Sequence, residues 1–269
     1  MRKTLNTAIC VGLIVLPAIA LAGYSEYKNP LEGQPAVRHR EEVRSGRFEI
    51  GPSVSFSLNR FVRHAILIGG KLEYHIADYL SLGADLGYGV GIDTGLTSEL
   101  AGQYANDAAR WEQLRRRFAD IQFAGDARLS FTPFTGKMAL FSKIFLGYDF
   151  YGFGGFGFAK TKNNGSNVAD FGANAGDDID AANEGFRAGA AFGAGIHLFF
   201  NQFVALGIEF KDILFSDNES GGDLTRGLTA EELAQKKVIV NADDRKFSNH
   251  FFVGLNLTFY LPTKAEISR

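Results

Sequence analysis

The feature that most restricts what this chain can fold into is a period-two alternation of apolar and polar residues, repeated in eight segments. From Arg47 to Leu58 the apolar residues Phe48, Ile50, Val54, Phe56 and Leu58 alternate with Arg47, Glu49, Ser53, Ser55 and Ser57. Successive side chains of a strand point to opposite faces, so one face of this strand seeks lipid or a core and the other seeks water or a polar lumen. The connections between segments are short or tight near residues 59–64, 77–78, 132–136 and 200–202, and long at 93–117, 160–183 and 216–246. Strands of this kind joined by tight turns at one end and longer loops at the other are the pattern of a small transmembrane barrel.

The remaining segments follow suit. The second runs from Ala65 to Ile76, with Lys71, Glu73 and His75 on its polar side. The third, Tyr79 to Ile92, sets Leu80, Leu82, Ala84, Leu86, Tyr88 and Val90 against Ser81, Gly83, Asp85, Gly87 and Gly89. The fourth sends Ile121, Phe123, Ala127, Leu129 and Phe131 outward, and Asp120, Gln122, Asp126, Arg128 and Ser130 inward, before a turn expected at Thr132–Gly136. The fifth begins at about Lys137 and reaches Phe150 or, through a Gly/Phe-rich stretch, Phe158; Lys137, Lys143 and Asp149 lie on its polar face. The sixth (184–198) carries Arg187 and His197 inward, the seventh carries Glu209 and Lys211, and the eighth (247–261) exposes Phe251, Val253, Leu255, Leu257 and Phe259. Pro52 lacks a ladder donor, so a bulge or kink is expected at Gly51–Pro52. Ser142 and Asp212 fall on the apolar face against the rule.

Helical spacing of Leu100, Tyr104, Ala108, Trp111 and Leu114 predicts a short helix in the loop 93–117, and Thr229 with Glu232 forms a capping-box pattern in the last long loop. Aromatic residues mark two girdles, Phe48, Tyr74, Phe131, Phe134, Phe203 and Phe259 at one level, and Tyr88, Phe118, Phe150, Phe186, Phe215 and Phe247 at the other.

The amino terminus reads as a secretory signal: Arg2 and Lys3, an apolar run from Ala8 to Leu21, and the small-x-small site Ala20-Leu21-Ala22. That run is shorter than the roughly 20 residues a membrane-crossing helix needs. The only cysteine, Cys10, lies within it, so the exported chain is expected to have no disulfide and no thiolate metal site. A net charge of -2 gives no general attraction to nucleic acid. The expected organisation is signal peptide 1–22, periplasmic lead-in 23–45, barrel 46–261 and carboxyl-terminal tail 262–269, all β in the barrel, with location in the cell outer membrane.

Alternation alone does not say which face is inside, since a lipocalin-like barrel would turn the apolar face inward. The polar face decides for a membrane barrel, because Glu49, Glu73, Asp85, Asp126 and Glu209 stand against Lys71, Arg128, Lys143, Arg187 and Lys211 at mid-strand, among glycines suited to a narrow interior. Counting from the turns pairs Lys71 with Asp85 and Asp126 with Lys143.

The closing stretch FFVGLNLTFY (Phe251 to Tyr260), with the signal and the eight amphipathic strands, resembles the small outer-membrane β-barrel domain family of OmpA or OmpX size. The first strand, RFEIGPSVSF from Arg47 to Phe56, resembles barrel-domain proteins of deltaproteobacteria. The resemblance implies an assembly signal at Gly254, Leu257 and Phe259, read by the barrel-insertion machinery, with Phe252 and the tail after Leu261 as departures.

No catalytic, cofactor-binding or metal residue is assigned from sequence. His75, His197 and His250 are expected to face the lumen, with no serine beside them by spacing, and the acidic residues Asp170, Asp177, Asp178 and Asp180 lack the spacing of a calcium loop. Arg60, Arg63, Arg115, Arg116 and Arg117 are placed at the outer rim, where guanidinium groups could clasp lipopolysaccharide phosphates. The expectation is therefore a non-enzymatic structural or interaction protein whose surface loops bind lipopolysaccharide or an envelope protein. A narrow porin-like channel is the alternative, followed by a soluble periplasmic lipocalin-like binder and an outer-membrane enzyme.

Overall fold

A computed structural model describes residues 43–140, 144–163, 182–219, 221–222, 224 and 240–263. The signal segment, most of the lead-in, Ser142, Lys143, the Asp170–Asp180 cluster and the Thr229–Glu232 capping pattern lie outside the described residues.

Eight antiparallel strands close on themselves in chain order, each bonded to the next and β1 to β8. They are β1 (Phe48–Ser57), β2 (Arg63–Ala77), β3 (Leu80–Asp93), β4 (Ala119–Leu140), β5 (Ile144–Asn163), β6 (Gly185–Phe199), β7 (Val204–Asp217) and β8 (Lys246–Leu261). Because consecutive strands are antiparallel, the strand ends Ala77 and Leu80, Leu140 and Ile144, and Phe199 and Val204 share one end of the barrel, here the short-turn end, and Ser57 and Arg63, Asp93 and Ala119, Asn163 and Gly185, and Asp217 and Lys246 share the other, the long-loop end. Closure removes every sheet edge.

The period-two pattern becomes an inside and an outside. Ile50, Val54, Ile68, Leu72, Leu82, Leu86, Leu129, Phe192, Ile208, Phe210 and Leu255 face outward and exposed, and Glu49, Lys71, Asp85, Arg128 and Glu209 face inward and buried. An apolar surface that runs right round a body is far larger than the patches water-soluble proteins expose. The soluble, inside-out alternative is thereby overturned.

Several expectations need correction. The expected turn at Thr132–Gly136 is strand: β4 continues to Leu140, and Lys137 pairs with Gly147. A register shift between Phe131 and Phe134 accommodates Pro133 at an irregularity, where its missing donor costs no ladder bond. With β5 starting at Ile144, Phe150 pairs with Phe134 and joins the short-turn girdle, not the other. A second shift between Ile121 and Phe123 makes Gln122 an extra residue. Ile121 consequently turns into the lumen, 2% exposed, while Phe123 stays outside. At Gly51–Pro52 β1 keeps one register with β2, so no bulge interrupts that pairing, while the pairing with β8 skips both residues. The loop after β3 holds two helices in place of one, α1 (Gly95–Gln103), capped by Thr94, and α2 (Ala108–Arg116), capped by Asp107. Phe118 and Phe215, assigned to the outer girdle, are buried.

Candidate functional site in the barrel lumen

The inward side chains form distinct layers. At the short-turn end, Arg44 enters from the lead-in and pairs with Asp149 of β5. The backbone at this point is anchored by Asp78, whose Oδ1 accepts from the amides of Arg44 and Ser45. Asp149 Oδ1 also lies 2.9 Å from Nδ1 of His197, whose ring stacks on Tyr151 with centroids 4.5 Å apart.

Glu49 is the hub of the next layer and is fully buried. Its Oε2 lies 3.1 Å from His75 Nε2 and accepts from the Tyr260 hydroxyl at 3.1 Å. Its Oε1 lies 3.1 Å from Lys71 Nζ and 3.3 Å from His197 Nε2. Lys71 also stands 3.4 Å from Glu73 Oε1 and 4.8 Å above the Tyr151 ring. Glu73 accepts from Ser81 Oγ at 3.0 Å and Ser130 Oγ at 3.2 Å.

Deeper in, Arg128 grips Asp126 with two nitrogens, the Nη2 to Oδ2 contact being 2.8 Å, and reaches Glu209 Oε2 at 2.6 Å. Lys211 joins Asp85 at 2.9 Å to Asp126 at 3.3 Å, and the Tyr151 hydroxyl donates to Glu209 at 2.9 Å. Buried charges are tolerable only when paired and hydrogen-bonded, and here each sits among opposite charges.

Above this network the lumen changes character. Ala65, Leu67, Ile121, Ala124, Ala159, Ala191, Ile213, Phe215 and Phe252 pack together, none more than 3% exposed. This apolar septum crosses the barrel between the charged layers and the long-loop mouth. At that mouth, His250 stacks on Phe215 at 3.6 Å, with Nε2 3.0 Å from Asp217 and Nδ1 3.1 Å from the Ile213 carbonyl oxygen. Ser248 donates to Asp217 at 3.0 Å. A cavity of about 390 Å³ opens there beside Phe61, Val62, Glu219, Leu224 and Lys246.

The predicted lumen charges are distributed unevenly over this geometry. Glu49, Lys71, Glu73, Asp85, Asp126, Arg128, Glu209 and Lys211 all enter the network. Lys71 does lie opposite Asp85 in the register, but Asp85 is taken by Lys211 while Lys71 serves the two glutamates. Asp126 lies opposite Gly157, not Lys143. Arg187 is at the long-loop rim, donating to the carbonyls of Ala182 and Glu184. Asp212, on the outward parity, is only 1% exposed because Asn249 and the His250 amide donate to it.

The rim arginines also divide. Arg60 is 4% exposed and bonds the Ala119 and Arg63 carbonyls, and Arg63 pairs with Asp93 and Asp120. Both guanidinium groups thus bind strand ends at the long-loop rim to one another. Arg115, Arg116 and Arg117, at and just past the end of α2, keep half-buried side chains. Gly254, Leu257 and Phe259 lie on β8, with Leu257 and Phe259 outward. Sequence reasoning missed Arg44, Tyr151 and Tyr260 as members of the network; the inward parity of the two tyrosines was the available sign, and Arg44, in the expected lead-in, had none.

No family model matches the chain, and no curated protein matches it. Among solved structures, it is similar to the N-terminal β-barrel domain of Pseudomonas aeruginosa OprF, with TM-score 0.42 and 11% identity over 81% of this chain and 98% of that one. It is also similar to OprG of the same organism, with TM-score 0.43 and 13% identity over 82% and 98% of the two chains. The attachment invasion locus protein Ail of Yersinia pestis aligns with TM-score 0.35 and 11% identity over 81% and 99%.

Proposed function

We propose that this chain is an outer-membrane barrel with a structural or interaction role, a closed wall that works through its long-loop end. The outward apolar belt supports the membrane setting, because a closed barrel satisfies every backbone group in lipid. In such barrels the short turns face the periplasm and the long loops the exterior. Residues 1–22 serve as the export signal, and Gly254, Leu257 and Phe259 of the closing strand as the signature read by the insertion machinery.

The observation that carries the non-channel reading is the filled lumen, with charged layers joined by ion pairs and an apolar septum beneath the mouth. Eight strands leave room for little more than side chains. Catalysis has weaker support. Among the described residues no serine hydroxyl bonds to a histidine ring nitrogen, and both nitrogens of His250 already face acceptors. At the loops, the run Arg115, Arg116 and Arg117 at the end of α2, half-buried and with Arg115 paired to Glu112, is the cationic stretch proposed to meet lipopolysaccharide phosphate or an envelope partner.

Planar-bilayer recording of the folded protein tests the reading. The expected result is a silent membrane, unchanged by Lys71→Met or Asp126→Asn; steady unitary conductance that shifts with either substitution would establish the narrow channel. Replacing Arg115, Arg116 and Arg117 together by Gln should reduce co-purifying lipopolysaccharide, and unchanged retention would move the role to another surface.

A further inference from the structure

We infer that the far end of the β4–β5 hairpin is a docking edge, onto which an extended segment of a soluble periplasmic protein adds as a further strand. The inference rests on the outer-membrane reading above, in which the short-turn end faces the periplasm. The two strands outrun the wall they belong to. The β3–β4 ladder stops at Leu80 and Phe131, followed by a last bond from the Thr132 amide to the Tyr79 carbonyl. The β5–β6 ladder stops at Gly147 and Phe199. Between β4 and β5 the pairing continues, from Phe134 with Phe150 to Leu140 with Ile144. At about 3.4 Å per residue, β4 from Phe134 to Leu140 runs about 20 Å with β5 on one side and no strand on the other.

A strand edge turns a backbone N–H and C=O toward its open side at every second residue. In hydrocarbon those groups would have no partner, so this ribbon lies in water beyond the lipid belt. Proteins blunt such edges with proline, bulges, charge or short strands. Here the proline and the irregularity sit at the root, at Pro133, and the stretch from Phe134 to Leu140 carries one charge, Lys137, and no other guard.

The faces of the ribbon say what the added strand must carry. Phe134, Gly136 and Met138 share one face with Phe150, Tyr148 and Leu146 of β5. The Tyr148 ring packs against Gly136, where a Cβ would meet it at 2.8 Å, and Phe134 is 66% exposed. A strand added to β4 extends this face, so it is apolar at alternate positions, with polar residues between them beside the exposed Thr135 and Lys137. A second copy does not fit. Two barrels in one membrane point the same way, so a two-fold axis brings their β4 edges together as parallel strands with identical residues level, N–H against N–H. The antiparallel match, β4 of one copy with β5 of the other, has only Ile144 to Leu146 to offer.

The test uses the purified full-length barrel in detergent, shown to be folded by its heat-dependent gel shift. The probe is an acetylated octapeptide alternating Val with Thr and Glu, and the readout is hydrogen exchange at residues 134–140. In the barrel alone, alternate amides there should exchange fast while their neighbours, bonded to β5, exchange slowly. With the peptide the fast set should become slow, and a peptide of the same composition without alternation should leave it fast. Phe134→Ser with Met138→Ser should weaken the probe about 5-fold at an unchanged heat shift. Replacing residues 136–148 by an Asn-Gly turn should abolish the response. Slow exchange along the whole edge without probe overturns the proposal, the edge being covered by the chain's own lead-in at the monomer mass or by a second copy at twice that mass. Fast exchange that saturating probe leaves unchanged overturns it too. The underlying reading fails separately: Lys137→Cys, the one thiol of the exported chain, should take a membrane-impermeant maleimide in cells only after the outer membrane is permeabilised. Labelling of intact cells would put this end outside and sink the membrane orientation itself.

Discussion

The two halves of this lumen solve the same packing problem with opposite chemistry. Toward the short turns, Glu49, Lys71, Glu73, Arg128, Asp126, Glu209 and Lys211 fill the barrel with paired charges. Toward the long loops, Leu67, Ile121, Ile213, Phe215 and Phe252 fill it as a soluble core would. The charged half is held by partnerships that fail if one member is lost. The apolar half is held by volume, and its cost scales with the space vacated. The difference teaches that inward orientation and inward polarity are separate properties of a strand.

The largest effect should come from the charged half. Arg128→Met strands Asp126 and Glu209 without their main cation, and breaking a buried pair typically costs about 3–5 kcal/mol. The temperature at which the unboiled gel form disappears should fall accordingly. The double substitution Arg128→Met with Glu209→Gln should recover part of the loss, since removing both partners leaves less charge uncompensated. Phe252→Ala in the septum should cost about 3 kcal/mol, and adding Glu209→Gln to it should bring no recovery. Recovery in both backgrounds would mean that the halves are one coupled unit and that the comparison is false.

The barrel itself was readable from alternation because a strand in lipid must be apolar on one side at every second residue, as in Leu80 to Val90. The septum was not, though it leaves a trace. In Ala65–Ile68, Ile213–Phe215 and Phe251–Val253 both parities are apolar, so the alternation fades where the interior is dry. Phe252 looked like an anomaly of an assembly signal, yet it is a septum residue. Ile121 was assigned to the wrong face because the extra residue Gln122 inverts the parity before it, and no pattern count detects a one-residue bulge. The Thr132–Gly136 segment carries turn residues that the β4–β5 pairing overrides. The meeting of His197 with Glu49 across the lumen was unreadable in principle, since cross-barrel contacts depend on shear and not on spacing within a strand.

The smallest effect should come from outside the barrel, and it separates the loop from both halves of the lumen. Asp107 caps α2 through its side chain, which accepts from the Arg110 amide at 3.1 Å, and also pairs with the Arg110 side chain at 3.2 Å. The ion pair is exposed, with 73% and 46% of the two side chains accessible, so the cap dominates. Asp107→Ala should therefore cost α2 about 1 kcal/mol. Hydrogen exchange should quicken at the first amides of α2, while the heat-shift temperature of the barrel stays where it was. The wall around the lumen is stabilised by strand pairing and interior packing, and α2 bears on neither of the buried layers. A fall in the barrel's own heat-shift temperature would instead make the long loop part of what seals the mouth, so that the apolar half could no longer be treated as self-contained.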